Sequence, residues 1–213
     1  MKELLAIHEK LSSHYGSQNW WPGEGLEIAI GAVLTQQTNW NNVEKALFKL
    51  KEVNCLNLDC LKSIPLAKLE NLIKSSGYYK VKAKRLKNLI NLLSKEPNPT
   101  REMLLDVKGL GYETTDSILL YLFEKPYFVI DAYTFRILSR MGLYKKENYL
   151  ELQKLFVDSI PKDIHLYKEF HALLVKHAKF CCKKKQPNCK ICPIKNLCLY
   201  DLKNSRLNKK INK

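Results

Sequence analysis

Apolar residues recur at intervals of three and four along almost the whole chain, and this spacing predicts helices. Leu4, Leu5, His8 and Leu11 form one face of a first helix. Leu26, Ile28, Ala29, Ala32, Val33 and Leu34 mark a second, well-buried one, and Val43, Ala46, Leu47 and Leu50 a third. Helices over 66–73 and 83–93 follow, the latter after a Gly-Tyr-Tyr turn at 77–79, and segments 114–123, 132–141, 149–156 and 167–180 complete the series. Hairpin signals and sustained two-residue alternation are absent. The run YFVI at 127–130 is short and isolated, so it reads as a buried approach to the next helix. The pattern predicts an all-α fold. It breaks early at Trp20-Trp21-Pro22-Gly23 and late in a cysteine-rich segment, and the Lys- and Asn-rich tail after Leu202 is expected to fray.

Composition adds a partner. Hydrophobic residues make up 46% of the 213, enough for a real core. Lys and Arg number 36 against 21 acids, a net charge of +15 that predicts a polyanionic partner. A lysine-rich surface serving solubility alone is the plainer alternative. No apolar run reaches the roughly 18 residues that span a bilayer, and the amphipathic N-terminus carries acids. A cytoplasmic protein with no membrane contact is expected.

In that compartment seven cysteines favour metal ligation over disulfides. Cys182, Cys189, Cys192 and Cys198 stand as C-x6-C-x2-C-x5-C, and four thiolates on one short looping segment can surround a single metal centre. Iron–sulfur and zinc both accept four cysteines. Cys55 and Cys60 read as ordinary buried small residues, and Cys181 as packing beside the first ligand.

Val107-Lys108-Gly109-Leu110-Gly111 lies between two helical segments. Gly-x-Gly lets the backbone take positive φ and approach a ligand, and the free amides of the next helix suit one phosphate. A plain interhelical turn is the alternative. Asp131 follows twenty positions after Gly111, in FVIDAYTFRI. It suits a helix N-cap, and it also suits chemistry that needs a carboxylate.

Taken together, VKGLG…FVIDAYTFRI and the cysteine spacing resemble the endonuclease III-like helix-hairpin-helix DNA glycosylase superfamily. LTQQTNWNNVEKA, GYYKVKAKRLKNL and HALLVKHAKFCC extend the likeness over nearly the whole chain. The resemblance implies two helical domains, 20–131 with the hairpin and 1–19 plus 132–213 with a cluster loop. It implies a [4Fe–4S] cluster on Cys182, Cys189, Cys192 and Cys198. Asp131 would stabilise the cationic sugar as the base leaves and orient the attacking water. Bifunctional members carry a lysine four residues after the first hairpin glycine; here that position is Glu113, which cannot form an imine.

WWPG and QQTNWNNV resemble the 3-methyladenine glycosylase branch, in which an aromatic from each place sandwiches the extruded base. Trp21 and Trp40 would do so here, with Trp20 and Pro22 shaping the wall; core anchoring is the alternative. Gln37 would fill the gap left by the nucleotide. Lys108, Gly109, Leu110, Gly111 and Tyr112 would hold DNA, with Tyr133 near the site. Lys183, Lys184, Lys185 and Lys190 would grip phosphates from a knob over the cluster. The expected protein is a monomeric, nucleoid-associated, monofunctional glycosylase of base excision repair. It would bind double-stranded DNA and release alkylated or deaminated purines, 3-methyladenine-type or hypoxanthine. Alternatives are a mismatch or oxidised-base glycosylase of the same superfamily, a non-catalytic DNA-binding iron–sulfur protein, and an electron-transfer protein.

Overall fold

The structure, a computed structural model, describes residues 2–200. The tail after Leu202 lies outside the described residues. Those described form α1 (Lys2–Tyr15), α2 (Leu26–Leu34), α3 (Trp40–Glu52), α4 (Leu58–Ser63), α5 (Leu66–Leu72), α6 (Tyr79–Leu93), α7 (Arg101–Leu105), α8 (Tyr112–Tyr121), α9 (Ala132–Met141), α10 (Tyr149–Ser159) and α11 (Ile164–Phe180). Three short 3-10 turns are added, and no strand occurs among the described residues. None of these helices is long and apolar enough to cross a membrane.

The chain divides into two compact units. One runs from Trp21 to Tyr127; the other joins the residues up to Trp20 to those from Phe128 onward. The divisions therefore fall at 20/21 and 127/128, not at the expected 19/20 and 131/132. The cause is local packing. Phe128 is fully buried, stacks on Phe156 with centroids 4.1 Å apart, and meets Tyr167 and Phe170 edge-on. Its carbonyl accepts from Gln153 Nε2 at 2.7 Å. The approach to Asp131 is thus core of the second unit, and Asp131 belongs there. Trp20 stays with α1, its ring 5.7 Å from the Lys179 ammonium.

In the first unit α2 is buried from Ile28 to Leu34, so it forms the unit's spine. The face Val43, Ala46, Leu47 and Leu50 of α3 packs into the same core. Asn39, Asn57 and Thr100 start α3, α4 and α7 by accepting a backbone amide three positions on. Arg101 binds Asp116 in a bidentate pair, 2.7 Å at each contact, with Asp116 fully buried. The rings of Tyr112 and Tyr127 each lie 5.1 Å from the guanidinium. Removing one partner of such a pair costs about 3–5 kcal/mol, because the other charge is stranded. This clamp fixes α7 against α8 and so sets the opening between them. Lys82 is likewise buried; its ammonium donates to the carbonyls of Leu34 (2.9 Å) and Ser76 (2.6 Å), and burial lowers it to about 8.

Cys55 and Cys60 correct an expectation: they form a disulfide. Asn57 caps α4 and turns the chain within the loop, so the two residues face each other at Cα–Cα 5.1 Å, within bonding reach.

In the second unit α1 buries Leu4, Ile7 and Leu11, while Leu5 and His8 are only partly covered; the buried face is rotated from the predicted one. It packs on α11, where His8 meets Phe170 and the Tyr15 hydroxyl lies 3.0 Å from His177 Nδ1. Glu169 of α11 accepts the amides of Gln18 and Asn19 at 2.9 Å each, which holds the segment leading to Trp20.

Candidate active site and cysteine centre

Asp131 is the N-cap of α9. Its Oδ1 accepts from Thr134 N at 2.7 Å and from Thr134 Oγ1 at 2.8 Å, and Oδ2 lies 3.6 Å from His171 Nε2 of α11. Burial pushes this carboxyl up, but His171 and the two Thr134 donors outweigh it, and the net direction is down. The result is a carboxylate kept anionic with 8% of its surface exposed. An ordinary cap has water to keep it ionised; this one relies on an imidazole and a helix start. A histidine among Phe170, Ala172, Leu173 and Leu174 reads as core, and only its distance from Asp131 reveals the pairing.

The hairpin joins α7 to α8. Gly109 has φ +97°, whereas Gly111 is extended at φ −99°, so only the first glycine meets the positive-φ expectation. Lys108, Gly111 and Tyr112 are exposed, while Leu110 is 6% exposed with its side chain in the core, which leaves only its backbone for a ligand. The first amides of α8, starting at Tyr112, have no carbonyl within the helix to bond. Glu113 lies exposed in that first turn.

Trp21 and Trp40 come together, but edge-to-face, with centroids 5.4 Å apart and planes at 89°. Tyr121 touches Trp21 from another side, and Trp40 Nε1 donates to Glu44 at 2.9 Å. Holding a base between two rings needs them parallel and roughly 7 Å apart, so the pair stands in contact with itself here. Gln37 is exposed and takes φ +53°, rare for a side chain of its kind. Tyr133 stacks under Arg136, at 5.1 Å from the ring centroid to the guanidinium.

Cys182, Cys189, Cys192 and Cys198 line one cavity, together with His177 and Cys181. The donor atoms of His177, Cys181 and Cys192 all lie within 4.8 Å of one another. Two residues outside the expected ligand set are therefore at the centre. Burial holds Cys192 up to about 12 and His177 down to about 4. A thiolate there needs a cation beside it, and soft sulfur donors with one imidazole nitrogen near them suit iron or zinc. Arg140 of α9 donates to the carbonyls of Lys183 (2.8 Å) and Lys184 (2.9 Å) and to Cys182 Sγ (3.2 Å), while Arg136 donates to the Cys182 carbonyl (3.0 Å). The loop is thus gripped by the helix that begins at Asp131. Lys183, Lys184, Lys185 and Lys190 are exposed on it.

A glycine hairpin between two helices, upstream of a carboxylate kept charged inside the fold, places the chain among helix-hairpin-helix proteins. Residues 30–162 match the HhH-GPD superfamily base excision DNA repair protein family, and the chain belongs to that family. A Methanocaldococcus jannaschii protein provisionally named DNA repair glycosylase MJ1434 is 43% identical over 92% of this chain and 96% of its own length. Endonuclease III of Thermotoga maritima is 32% identical over 82% of this chain and 83% of its own. Among solved structures, the 3-methyladenine DNA glycosylase of H. pylori bound to 1,N6-ethenoadenine matches with TM-score 0.74 and 32% identity, over 83% of this chain and 97% of that one.

Proposed function

We propose that the protein is a monofunctional DNA glycosylase that releases alkylated or deaminated purines from double-stranded DNA. The observation that carries this reading is Asp131: a carboxylate buried to 8% exposure and held anionic by His171 and Thr134. A non-catalytic DNA binder has no use for such a group.

The chemistry follows from electrostatics. As the C1′–N bond breaks, its electron pair leaves with the base and the sugar becomes cationic. Asp131, already ionised and fixed, stabilises that charge without reorganising. Water then adds at C1′, with Asp131 orienting it and drawing off its proton. Burial near DNA phosphates would protonate a lone carboxyl; His171 and the start of α9 oppose this. Glu113 stands where bifunctional relatives present an amine, so hydrolysis ends at an abasic site without strand cleavage.

Trp21 and Trp40 receive the extruded base, bordered by Trp20 and Pro22. Since the two rings are in contact, entry of a base requires them to part. Electron-rich indoles favour a positively charged alkylated purine. The likeness to a glycosylase solved with an ethenoadenine supports a purine substrate. Lys108, Gly109, Gly111 and Tyr112 hold a phosphate, and Gln37 fills the gap in the stack. Lys183, Lys184, Lys185 and Lys190 reach more distant phosphates. Cys182, Cys189, Cys192 and Cys198 hold a [4Fe–4S] cluster, which serves to order the loop when bound. The protein acts as a monomer at the nucleoid.

Asp131→Asn tests the central assignment, because asparagine retains the cap to Thr134 while losing the charge. It should abolish base release from a panel of duplexes, each with one altered purine, and leave lesion-DNA binding within a few-fold. Activity equal to wild type would defeat it. Alkali treatment of the same samples scores strand cleavage; breaks formed without alkali would overturn the monofunctional reading.

A further inference from the structure

Gln36 makes a set of bonds that the chemistry above does not use. Its Nε2 donates to the Gly109 carbonyl at 3.3 Å and to Thr114 Oγ1 at 2.9 Å, and its Oε1 accepts from Arg85. One amide therefore joins the α2–α3 segment to α6, to the hairpin and to the first turn of α8. Arg85 lies so close over Gly109 that a Cβ there would overlap its Nε, Cγ and Cδ. Gly109 is required twice, by its φ of +97° and by the guanidinium stem above it.

The next residue, Gln37, is exposed and left-handed. A non-glycine residue in that region costs about 1–2 kcal/mol and persists only where its surroundings over-determine it. Its neighbours supply that constraint: Thr38 N turns back to Thr35 O at 3.2 Å, and Gln36 is bound at both ends of its amide. A side chain that must enter a gap in stacked DNA gains from being ordered beforehand, since no loop entropy is then lost on binding.

We propose that Gln36 and Arg85 are positioning residues that lock the left-handed Gln37 to the hairpin, fixing the gap-filling side chain at a set distance from the phosphate held at Gly109. This lock rests on the glycosylase reading above.

The test is a double-mutant cycle on the full chain with Gln36→Met, Gln37→Ala and both together, plus Gln36→Glu, which keeps the Arg85 partner and loses the bond to the Gly109 carbonyl. Two quantities are measured: single-turnover release of whichever altered purine the wild type releases fastest, and preference for a duplex with a tetrahydrofuran abasic analogue over an undamaged duplex. Gln36→Met should lower release at least tenfold and reduce the preference similarly, with affinity for undamaged duplex within twofold of wild type. Gln36→Glu should fall between. The double variant should be no worse than Gln37→Ala, because Gln36 acts through Gln37. Additive losses, unchanged release in Gln36→Met, or equal weakening on both duplexes would overturn the lock. An unimpaired Gln37→Ala would overturn it by removing the gap-filling role. If wild type releases no altered purine, the glycosylase reading itself fails, and the binding preference alone decides the lock by the same comparisons.

Discussion

Replacing His171 by leucine isolates the feature on which the proposed chemistry depends. The side chain is 4% exposed and its Nε2 stands 3.6 Å from Asp131 Oδ2, so leucine fills most of the space and removes the polar partner. Burial, which pushes Asp131 up, is then opposed by Thr134 alone. At 3.6 Å the contact is longer than an ordinary hydrogen bond, so its worth lies at or below the lower figure for a bond to a charged group, about 1.5 kcal/mol, equivalent to roughly tenfold in the population of the anion. The loss should therefore appear on the acid side. Single-turnover base release across pH should show the acidic limb moved to higher pH, with rates there down by up to that factor and convergence within a few-fold at alkaline pH. His171→Gln, which retains an N–H donor, should lie nearer wild type. Folding stability should follow the same sign. Asp131 is depressed in the folded state, so its contribution is present above the ordinary aspartate value of about 3.9 and is lost as pH falls through the folded one. His171→Leu should thus unfold at higher pH on acidification. A rate loss of equal size at every pH would refute the reasoning and leave His171 as packing alone.

Other substitutions probe the frame around the site. Lys108→Met should weaken binding to undamaged duplex and make the slope of log affinity against log salt shallower by about 0.9, the loss of one neutralised phosphate; an unchanged slope would remove the hairpin lysine from the DNA interface. Arg101→Met removes the bidentate partner of the buried Asp116 and should cost about 3–5 kcal/mol in urea unfolding. A cost under 1 kcal/mol would mean that the clamp does not hold α7 to α8. Cys55→Ser should lower stability by about 2 kcal/mol, the loop-closure value for so short a ring, with base release unchanged; melting that does not respond to the substitution or to reductant would show that the bridge contributes nothing.

Much of this molecule is legible in its residues, and the exceptions share causes. Long amphipathic segments such as α3, α6 and α9 display several turns of one face, so their periodicity is unambiguous. α4 and α7, of six and five residues, never complete two turns, and only their caps Asn57 and Thr100 betray them. In α1 the choice between Leu5 and Ile7 turns on which neighbour arrives, and α11 decides it. The N-cap at Asp131 and the turn at Gly109 are readable because local backbone chemistry restricts which residues fit there, whereas their reading as a site rests on the likeness to the superfamily. The Asp131–His171 pairing and the Gln36–Arg85 tie are not, since each unites positions whose separation is set by tertiary packing. Nor is the Cys55–Cys60 bridge, because the turn that brings the two residues together depends on Asn57 capping α4.

The unit that carries Asp131 is built from both ends of the chain, with α1 resting on α11. During synthesis, therefore, the contiguous stretch from Trp21 to Tyr127 is free to close as soon as it leaves the ribosome, whereas α1 emerges without its partner. At about 5–20 residues per second, it waits on the order of ten to thirty seconds for α11. Leu4, Ile7 and Leu11 remain uncovered for that interval. Until α11 arrives, the apolar face of α1 is thus open to contacts other than the one it makes in the folded unit.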